Sequence, residues 1–481
     1  MAKLLLSDFF TYRFRYQIGY SLIIIAFVAL LVVAGLYVPG GFSDAETTQF
    51  VKTASMDVQN IQTLTQPNLP FYAAQRLSMD LFGPSSFAFK VPSLICAAIT
   101  GIGAVLLLRR WFRPNIALLA TVIMITTGQF IYVAQSGTGS ITYLLWSVWL
   151  LLIATMITTS ERHKRFWKIL FFVAMPLSLY TPMSIYLVVA IVSAGLLHPH
   201  VRYVLKKMSR PHLIILIAVS IVIMAPLGYL IYKSPQLGAK LLGAPDAWPD
   251  IWHNLKVLFQ QYFNFIHPQS GNLMTPVFGL GTMILILLGM WQLFTIRYTA
   301  RSYTLTAWLI LLIPVLVINP TFTSVTFVPI LLLLASGLGY LLRSWYNMFP
   351  VNPYARFVGM IPLTILVGGL VLSGLGRYFD GYRYDPQTAT SFSHDLTLFN
   401  NEIVAKNVKR IVVTNDERPF YQAVARYNPH ANIVVLTSAP RAQGPYAATQ
   451  TAHNKLPGLP SQIVTTAYSQ NSDRFYVYIN R

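Results

Sequence analysis

Eleven apolar runs constrain this chain more than any other feature of its 481 residues. A helix needs about 20 apolar residues to cross the hydrocarbon core of a membrane. We expect the spans at residues 17–38, 88–108, 116–133, 141–158, 167–180, 183–197, 213–232, 275–296, 304–318, 324–342 and 357–376. Because 55% of the residues are hydrophobic and 10% are charged, the sequence predicts a polytopic α-helical membrane protein with about 11 transmembrane helices.

The stretch 167–197 is ambiguous, because Tyr180-Thr181-Pro182 interrupts it and either one long tilted helix or two short helices would fit. The distribution of Lys and Arg favours two passes. With a cytoplasmic N-terminus, the inner segments then carry 18 basic and 2 acidic residues, whereas the outer segments carry 6 of each. This asymmetry follows the positive-inside rule. We therefore predict a multi-pass protein of the cell membrane with a cytoplasmic N-terminus and an extracytoplasmic C-terminus.

The net charge of +20 is explained by this orientation and not by a nucleic-acid partner. The basic residues are spread over six inner segments, whereas a nucleic-acid-binding protein would collect them on one soluble surface. The composition changes near residue 377, after which the apolar runs are too short to span a membrane. We expect a transmembrane domain at residues 1–376 and a soluble extracytoplasmic domain at 377–481.

The tail domain is expected to be a small α/β unit. Its pattern predicts helices at 392–406 and 419–427, and strands at 410–414, 432–436, 462–467 and 474–479. We interpret the Gly/Pro/Ala/Gln-rich segment between the second and third strands as a loop.

Two outer segments of the membrane domain are long. In segment 39–87, Ser43-x-x-Glu46 matches a capping box and precedes apolar residues at helical spacing, which predicts an amphipathic helix on the membrane surface. A second short helix should end near Leu81-Phe82-Gly83. Segment 233–274 is rich in aromatic residues, which fits an interfacial belt and also fits a sugar- or lipid-binding surface.

Asp44 and Glu46 lie just outside the first span, although the whole chain has only 15 acidic residues. Their position allows two interpretations. Acidic residues stabilise the first turn of a helix, so both could be structural. A carboxylate at this boundary could also take a proton from a reacting hydroxyl group. Lys90, at the outer edge of the second span, could likewise bind an anion or extend towards the interface.

Four short motifs in the first third of the chain occur in a recognisable order: Ser43-Asp44-Ala45-Glu46, Asn68-Leu69-Pro70-Phe71-Tyr72, Leu81-Phe82-Gly83 and Lys90-Val91-Pro92-Ser93-Leu94. This arrangement resembles the GT-C glycosyltransferases, in particular the branch of protein O-mannosyltransferases and the aminoarabinose transferase of lipid A. The chain departs from the family in three places. Ala45 separates the two acidic residues, and the second outer loop, 134–140, carries no charge. Near span six, where relatives often carry a Lys, this chain has Thr181-Pro182.

The resemblance implies a sugar donor linked to polyprenyl phosphate and an acceptor hydroxyl of a protein, glycan or lipid at the outer face. It implies Asp44 as the base and Glu46 as a second carboxylate, both of which would be ligands if a divalent cation takes part. The donor phosphate would be bound by a set of cationic and polar residues: Lys90, Arg76, Lys52 and Gln135. Two alternatives remain open, a catalytically inactive glycolipid-binding relative and a lipid or sugar transporter.

Overall fold

The computed structural model describes residues 14–57, 59–160, 163–206, 210–245, 247–267, 275–296, 299–348, 354, 358, 360–440, 444–466 and 472–480. Its membrane part is helical. The helices are α1 (Arg15–Tyr37), α2 (Asp44–Ser55), α3 (Ile61–Leu64), α4 (Leu69–Phe82), α5 (Ser86–Trp111), α6 (Pro114–Thr126), α7 (Gly128–Gln135), α8 (Ile141–Thr159), α9 (Lys164–Ser178), α10 (Ser184–Leu197), α11 (Pro199–Lys206), α12 (Arg210–Lys233), α13 (Pro235–Leu241), α14 (Ile251–Phe263), α15 (Leu280–Thr295), α16 (Ala300–Ile318), α17 (Phe327–Met348) and α18 (Met360–Tyr384).

Among the described residues, seven helices are long and apolar enough to cross a membrane. The count is eight if α6 and α7, which meet at a 62° bend, form one broken span. The chain is therefore a multi-pass membrane protein, but the predicted number of eleven spans is not established. Helices α10 and α15 are apolar but have only 14 and 16 residues, and α9 has only 15 residues.

The ambiguous stretch after residue 167 contains two helices, α9 and α10. The chain breaks between Ser178 and Ser184, where Met183 has a φ of 64° that a continuing helix does not allow. Pro182 lies in the same break, and its fixed φ and missing N–H group also oppose a continuous helix. Whether the two helices make two separate passes remains a prediction.

Helices α15 and α17 approach each other through two glycines. A Cβ atom on Gly289 would lie 1.8 Å from the backbone oxygen of Leu333, and one on Gly337 would lie 2.0 Å from that of Leu285. Small residues at such crossings let two helix backbones make close contact. We expect Gly289→Ala to destabilise the protein by about 1–3 kcal/mol or more, because backbone must move to admit the methyl group.

Thermal unfolding of the purified protein in detergent measures this effect. Gly369→Ala, on α18, is the matched control because no atom lies within 4 Å of the added Cβ. Equal melting temperatures for the two variants would contradict the proposed packing.

The first outer segment forms the predicted helices. Helix α2 begins with the capping box of Ser43 and Glu46, and α4 ends at Gly83, where φ is 77°. The structure differs from the prediction in what covers α2. The ring of Phe50 packs 5.4 Å from Phe420 and 5.9 Å from Tyr427, both in the tail. The apolar face of α2 is therefore buried under protein and does not rest on the membrane surface.

The second outer segment contains α13 and α14, and its residues 268–274 lie outside the described part. Helix α14 is capped by Asp250, whose carboxylate accepts hydrogen bonds from two backbone N–H groups. Trp248 and Trp252 are 90% and 82% exposed within the protein. Such exposure fits an interfacial belt or a binding surface equally well, so both interpretations stay open.

The tail contains short helices α19 (Pro386–Ala389), α20 (Asp395–Leu398), α21 (Arg418–Tyr427) and α22 (Gln450–His453) around one sheet. Its strands are β1 (Arg410–Val412), β2 (Val434–Leu436), β3 (Gly444–Thr449), β4 (Gln462–Thr465) and β5 (Asp473–Asn480). The strand order is β2-β1-β3-β5-β4, with β1 parallel to β2 and β3, and β5 antiparallel to β3 and β4. The predicted α/β character of the tail is confirmed.

The expected helix at 392–406 is present but shorter, since residues 395–404 are helical: α20 continues directly into a π-helical segment at Phe399–Val404. One detail of the tail was predicted wrongly. The expected loop contains β3, the central strand of the sheet. This strand begins with Gly444-Pro445 and continues with small residues, so it lacks the β-branched pattern that indicates a strand. Ala447 and Ala448 are fully buried, because small side chains fit where the sheet is covered on both faces.

The tail and the outer segment share one hydrophobic core. Phe42, Phe50, Met79 and Phe89 from the membrane part pack in the same cluster as a set of tail residues that includes Phe399, Ile411, Val424 and Phe475. Helix α18 runs without a break to Tyr384, past the proposed boundary at residue 376. The division into domains 1–376 and 377–481 therefore stays a proposal.

Candidate active site

The first turn of α2 sends its two acidic residues in opposite directions. The Ser43 hydroxyl accepts a hydrogen bond from the Glu46 N–H at 3.3 Å, and the Ser43 N–H donates to Glu46 Oε2 at 2.9 Å. This reciprocal capping turns the Glu46 side chain inward, where it is only 1% exposed. Asp44, two positions earlier, is exposed and makes no hydrogen bond or ion pair with the described residues.

Glu46 forms a buried polar cluster with Lys90 and Gln135. The Lys90 Nζ lies 3.8 Å from Glu46 Oε1 and donates hydrogen bonds to the Gln135 Oε1 at 2.6 Å and the Gly41 carbonyl at 2.9 Å. Lys90 and Gln135 are both fully buried. The three residues come from α2, α5 and α7, so the cluster fixes the start of the outer segment to two helices of the membrane part.

The uncharged loop 134–140 supplies the rest of this environment. The Gly137 N–H donates to Glu46 Oε1 at 2.7 Å, and the Gly137 carbonyl accepts a hydrogen bond from Gln75 Nε2 at 2.9 Å. A Cβ on residue 137 would lie 2.1 Å from the Phe89 ring, so only glycine fits there. These roles of Gly137 and Gln75 were not predictable from the sequence, because a backbone N–H, a backbone carbonyl and a neutral amide make these contacts in place of charged side chains.

The structure therefore brings together three of the six predicted site residues: Glu46, Lys90 and Gln135. Lys52 is exposed in the last turn of α2. Arg76 is half-buried and donates to the backbone carbonyl of Met56, which ties α4 to the end of α2. Asp44 and Arg76 lie outside the buried cluster, and Lys90 already has internal partners for its positive charge.

Asp44 and Glu46 are not arranged to bind a divalent cation. Within the described ranges, no group of three or more His, Cys, Asp or Glu side chains lies close enough to hold a metal ion. Both carboxylate oxygens of Glu46 are already acceptors of internal hydrogen bonds, and the Asp44 side chain points to the surface. The two carboxylates thus form neither a dyad nor a metal pair.

The tail closes over the segment that leads into α2. Phe42 and Ser393 exchange two backbone hydrogen bonds of 2.8 and 2.7 Å, and Arg426 Nη1 donates to the Ala54 carbonyl at 2.7 Å. His394 lies beside Gly40. Burial lowers the pKa of His394 below its ordinary value, and the positive charge of Lys90 lowers it further. The tail therefore contacts the same backbone segment that carries the buried cluster.

An apolar groove of about 460 Å³ lies on the other side of α4 and α5. Leu77 and Leu81 of α4, Ile95 of α5 and Trp146 of α8 line it, and the first three of these side chains are more than half exposed. A groove of this kind on a membrane protein can take a hydrocarbon chain, because its walls are apolar and open to the bilayer.

Comparison with solved structures identifies the architecture. The crystal structure of ArnT from Cupriavidus metallidurans bound to undecaprenyl phosphate aligns with a TM-score of 0.58 at 12% identity, covering 95% of this chain and 98% of that one. The apo state of the same protein aligns with a TM-score of 0.55 at 13% identity, covering 96% and 98%. The chain has the GT-C fold. The predicted fold class is thereby confirmed.

Two further comparisons add to this result. The Archaeoglobus fulgidus oligosaccharyltransferase tethered with an acceptor peptide aligns with a TM-score of 0.51 at 10% identity, over 86% of this chain and 64% of that one. The family model for dolichyl-phosphate-mannose-protein mannosyltransferase matches residues 66–229. This match includes Lys90 and Gln135 but not Asp44 or Glu46. Among curated protein sequences, nothing matches the chain.

Proposed function

We propose that this protein is a membrane glycosyltransferase that moves a sugar from a polyprenyl-phosphate donor to an acceptor hydroxyl at the outer face of the membrane. The observation that carries the proposal is the position of Asp44. Its carboxylate is exposed and has no partner among the described residues, while the helix that bears it is fixed by the buried cluster of Glu46, Lys90 and Gln135. A carboxylate that is free to accept a proton and is borne by a fixed helix suits general-base catalysis.

In this reaction the acceptor oxygen attacks the anomeric carbon of the sugar. Asp44 takes the hydroxyl proton as the new carbon–oxygen bond forms. The bond between the anomeric carbon and the phosphate oxygen breaks, and polyprenyl phosphate leaves with the bonding electrons. The N-terminus of α2 favours a negative charge at residue 44, because the first backbone N–H groups of a helix point towards it.

Glu46 and Lys90 act as positioning residues in this proposal. Their charges compensate each other in a fully buried place, so they hold α2 against α5 and the loop 134–140. This revises the role that the resemblance implies for Lys90, because contact with a donor phosphate would require its ammonium group to leave two hydrogen bonds.

Two observations support a polyprenyl-phosphate sugar as the donor. The solved relative ArnT holds undecaprenyl phosphate, and the apolar groove beside α4 and α5 offers room for part of a prenyl chain. The acceptor is a hydroxyl group of a protein, glycan or lipid. The extracytoplasmic location of the site and of the tail follows from the positive-inside distribution of Lys and Arg.

Sugar transfer by the full chain in proteoliposomes tests the proposal. The donor is a polyprenyl-phosphate sugar radiolabelled in the sugar, offered with a membrane extract as the source of acceptors. We expect the label to move to acceptor or water while free polyprenyl phosphate accumulates in equal amount. Passage of intact donor across the bilayer without release would instead indicate a transporter. Binding of the donor with neither outcome would indicate an inactive relative.

A further inference from the structure

A cavity with polar side chains in its lining lies at the bend between α6 and α7. It has a volume of about 100 Å³ and is lined by this bend, the N-terminus of α15 and the C-terminal half of α18. Because a single water needs roughly 10–15 Å³, the cavity has room for a polyatomic ion. Its lining includes Gln129, Thr282 and Arg377 and contains no carboxylate among the described residues.

Two polar side chains of this cavity have buried atoms with no hydrogen-bond partner among the described residues. Gln129 is 3% exposed, and neither its Nε2 nor its Oε1 atom has a hydrogen-bond partner in the described structure. The Nη2 atom of Arg377 is buried there and is likewise unsatisfied. Buried polar groups are normally hydrogen-bonded, because an unpaired one loses its hydration without compensation. A cationic group and an amide left open at one place indicate a ligand with acceptor atoms.

The start of α15 adds a second source of positive potential beside Arg377. Its N-cap is Gly279, which has no side chain to cap the helix, and its first turn has no acidic residue. The first N–H groups of a helix have no acceptor within the helix and attract anions. Leu280, Gly281 and Thr282, which carry these groups, line the cavity.

The cavity lies next to a close contact between α18 and the bend of α6 and α7. A Cβ on Gly374 would lie 2.3 Å from the Thr126 carbonyl, so the glycine allows the backbone of α18 to touch the end of α6. Arg377 lies one turn further along α18 and lines the cavity. The packing of α18 against the end of α6 therefore determines where Arg377 lies relative to the bend.

We propose that this cavity binds a phosphate monoester through the Arg377 guanidinium, the N-terminus of α15 and the Gln129 amide. Arginine and helix N-termini are both suited to phosphate oxygens. The phosphate can come from a lipid headgroup or from free inorganic phosphate, and the chemistry of recognition is the same. If it is the headgroup of the lipid carrier, the inference rests on the proposed function. Otherwise it stands independently.

The cavity is connected to the candidate active site through two elements. Helix α7 carries Gln129 near its start and Gln135, the partner of Lys90, at its end. Tyr378, next to Arg377, donates a hydrogen bond to the Val38 carbonyl in the segment that leads to α2. A phosphate bound here would therefore contact the same scaffold that positions Asp44.

Thermal unfolding of the purified full chain in detergent tests the site. The probes are inorganic phosphate and a water-soluble short-chain isoprenyl phosphate, each compared with chloride at equal ionic strength. We expect a saturable rise in melting temperature with at least one probe. Arg377→Gln should weaken the apparent affinity about 10- to 100-fold, as expected for lost hydrogen bonds to a charged group.

Two variants distinguish anion binding in this cavity from general effects of charge and packing. Arg383→Gln removes an exposed charge from the same helix and should leave the affinity unchanged. Gln129→Leu should weaken the anion effect while leaving the melting temperature without anion unchanged or higher, because it removes two unsatisfied buried atoms. A residue that matters only for packing would show the opposite pattern, with a lower melting temperature and unchanged affinity.

The outcomes are distinct. Stronger stabilisation by the isoprenyl phosphate supports a lipid headgroup, and equal stabilisation supports free phosphate. No stabilisation by either probe, or equal affinity in Arg377→Gln and Arg383→Gln, overturns the inference. Since this assay requires no sugar transfer, phosphate binding in a protein that never transfers sugar would refute the proposed function alone. Transfer by a protein that binds no phosphate at Arg377 would refute this inference alone.

Discussion

Removing either charge of the buried Glu46–Lys90 pair is expected to destabilise the protein by about 3–5 kcal/mol, because the remaining charge would stay buried without its counterion. Lys90→Met leaves the Glu46 carboxylate with only neutral donors from Ser43 and Gly137. Glu46→Gln leaves the Lys90 ammonium with only the Gly41 carbonyl and the Gln135 amide oxygen. Thermal or denaturant unfolding in one detergent measures both variants.

The double variant Glu46→Gln/Lys90→Met distinguishes a buried pair from two independent contacts. A buried ion pair can often be replaced by neutral groups at little cost, so we expect the double variant to be more stable than either single one. Lys406→Met is the matched control, because Lys406 pairs with Glu402 at 2.6 Å on the surface and both are well exposed. Its cost should be at most about 1 kcal/mol.

The outcome that contradicts this account is additivity. If the double variant loses as much stability as the two single variants together, the charges do not compensate each other. The cluster would then not be the element that fixes α2.

Asp44→Asn is expected to lower the rate of sugar transfer about 10²- to 10⁴-fold, the range over which a positioned general base contributes. The substitution keeps the size and hydrogen-bonding ability of the side chain but removes the site that accepts the proton. Because Asp44 is exposed and contacts no partner within the part of the chain that the structure describes, the free energy of unfolding should change by no more than about 1 kcal/mol. Transfer and unfolding are measured on the same preparation.

Asp80→Asn provides the control for this experiment. Asp80 is an exposed acidic residue on α4, in the same outer segment as Asp44. The Asp80→Asn variant should retain the wild-type rate of sugar transfer. Equal loss of activity in both variants would point to the overall negative charge of the segment and not to a base at residue 44.

The sequence predicted the local features of this protein well. Helix α2 begins where the Ser43–Glu46 pattern indicates, and α4 ends at Gly83, because capping depends on neighbours within one turn. The break near Thr181-Pro182 was also visible, since proline acts on its own helix. Each of these signals is contained in a few adjacent residues.

The long-range features were not predictable in the same way. Lys90 pairs with Gln135 45 residues away, and Gly137 bonds to Glu46 across 91 residues. A single sequence does not indicate which distant residue meets which. The resemblance implied that Lys90 binds a donor phosphate, and nothing in the sequence indicated the internal partners against which the structure buries it. Gln129 and Arg377 carry no sequence signal of a shared site, because the cavity that they line exists only when α7, α15 and α18 are packed together.

The central claim is that Asp44 acts as the base in transfer from a lipid-linked sugar. Single-turnover transfer by wild-type protein and Asp44→Asn, each saturated with radiolabelled donor in proteoliposomes, tests it most directly. We predict that both proteins bind the donor, that the wild type releases polyprenyl phosphate together with transferred sugar, and that the variant retains its donor intact. Release and transfer by Asp44→Asn at the wild-type rate would contradict the account.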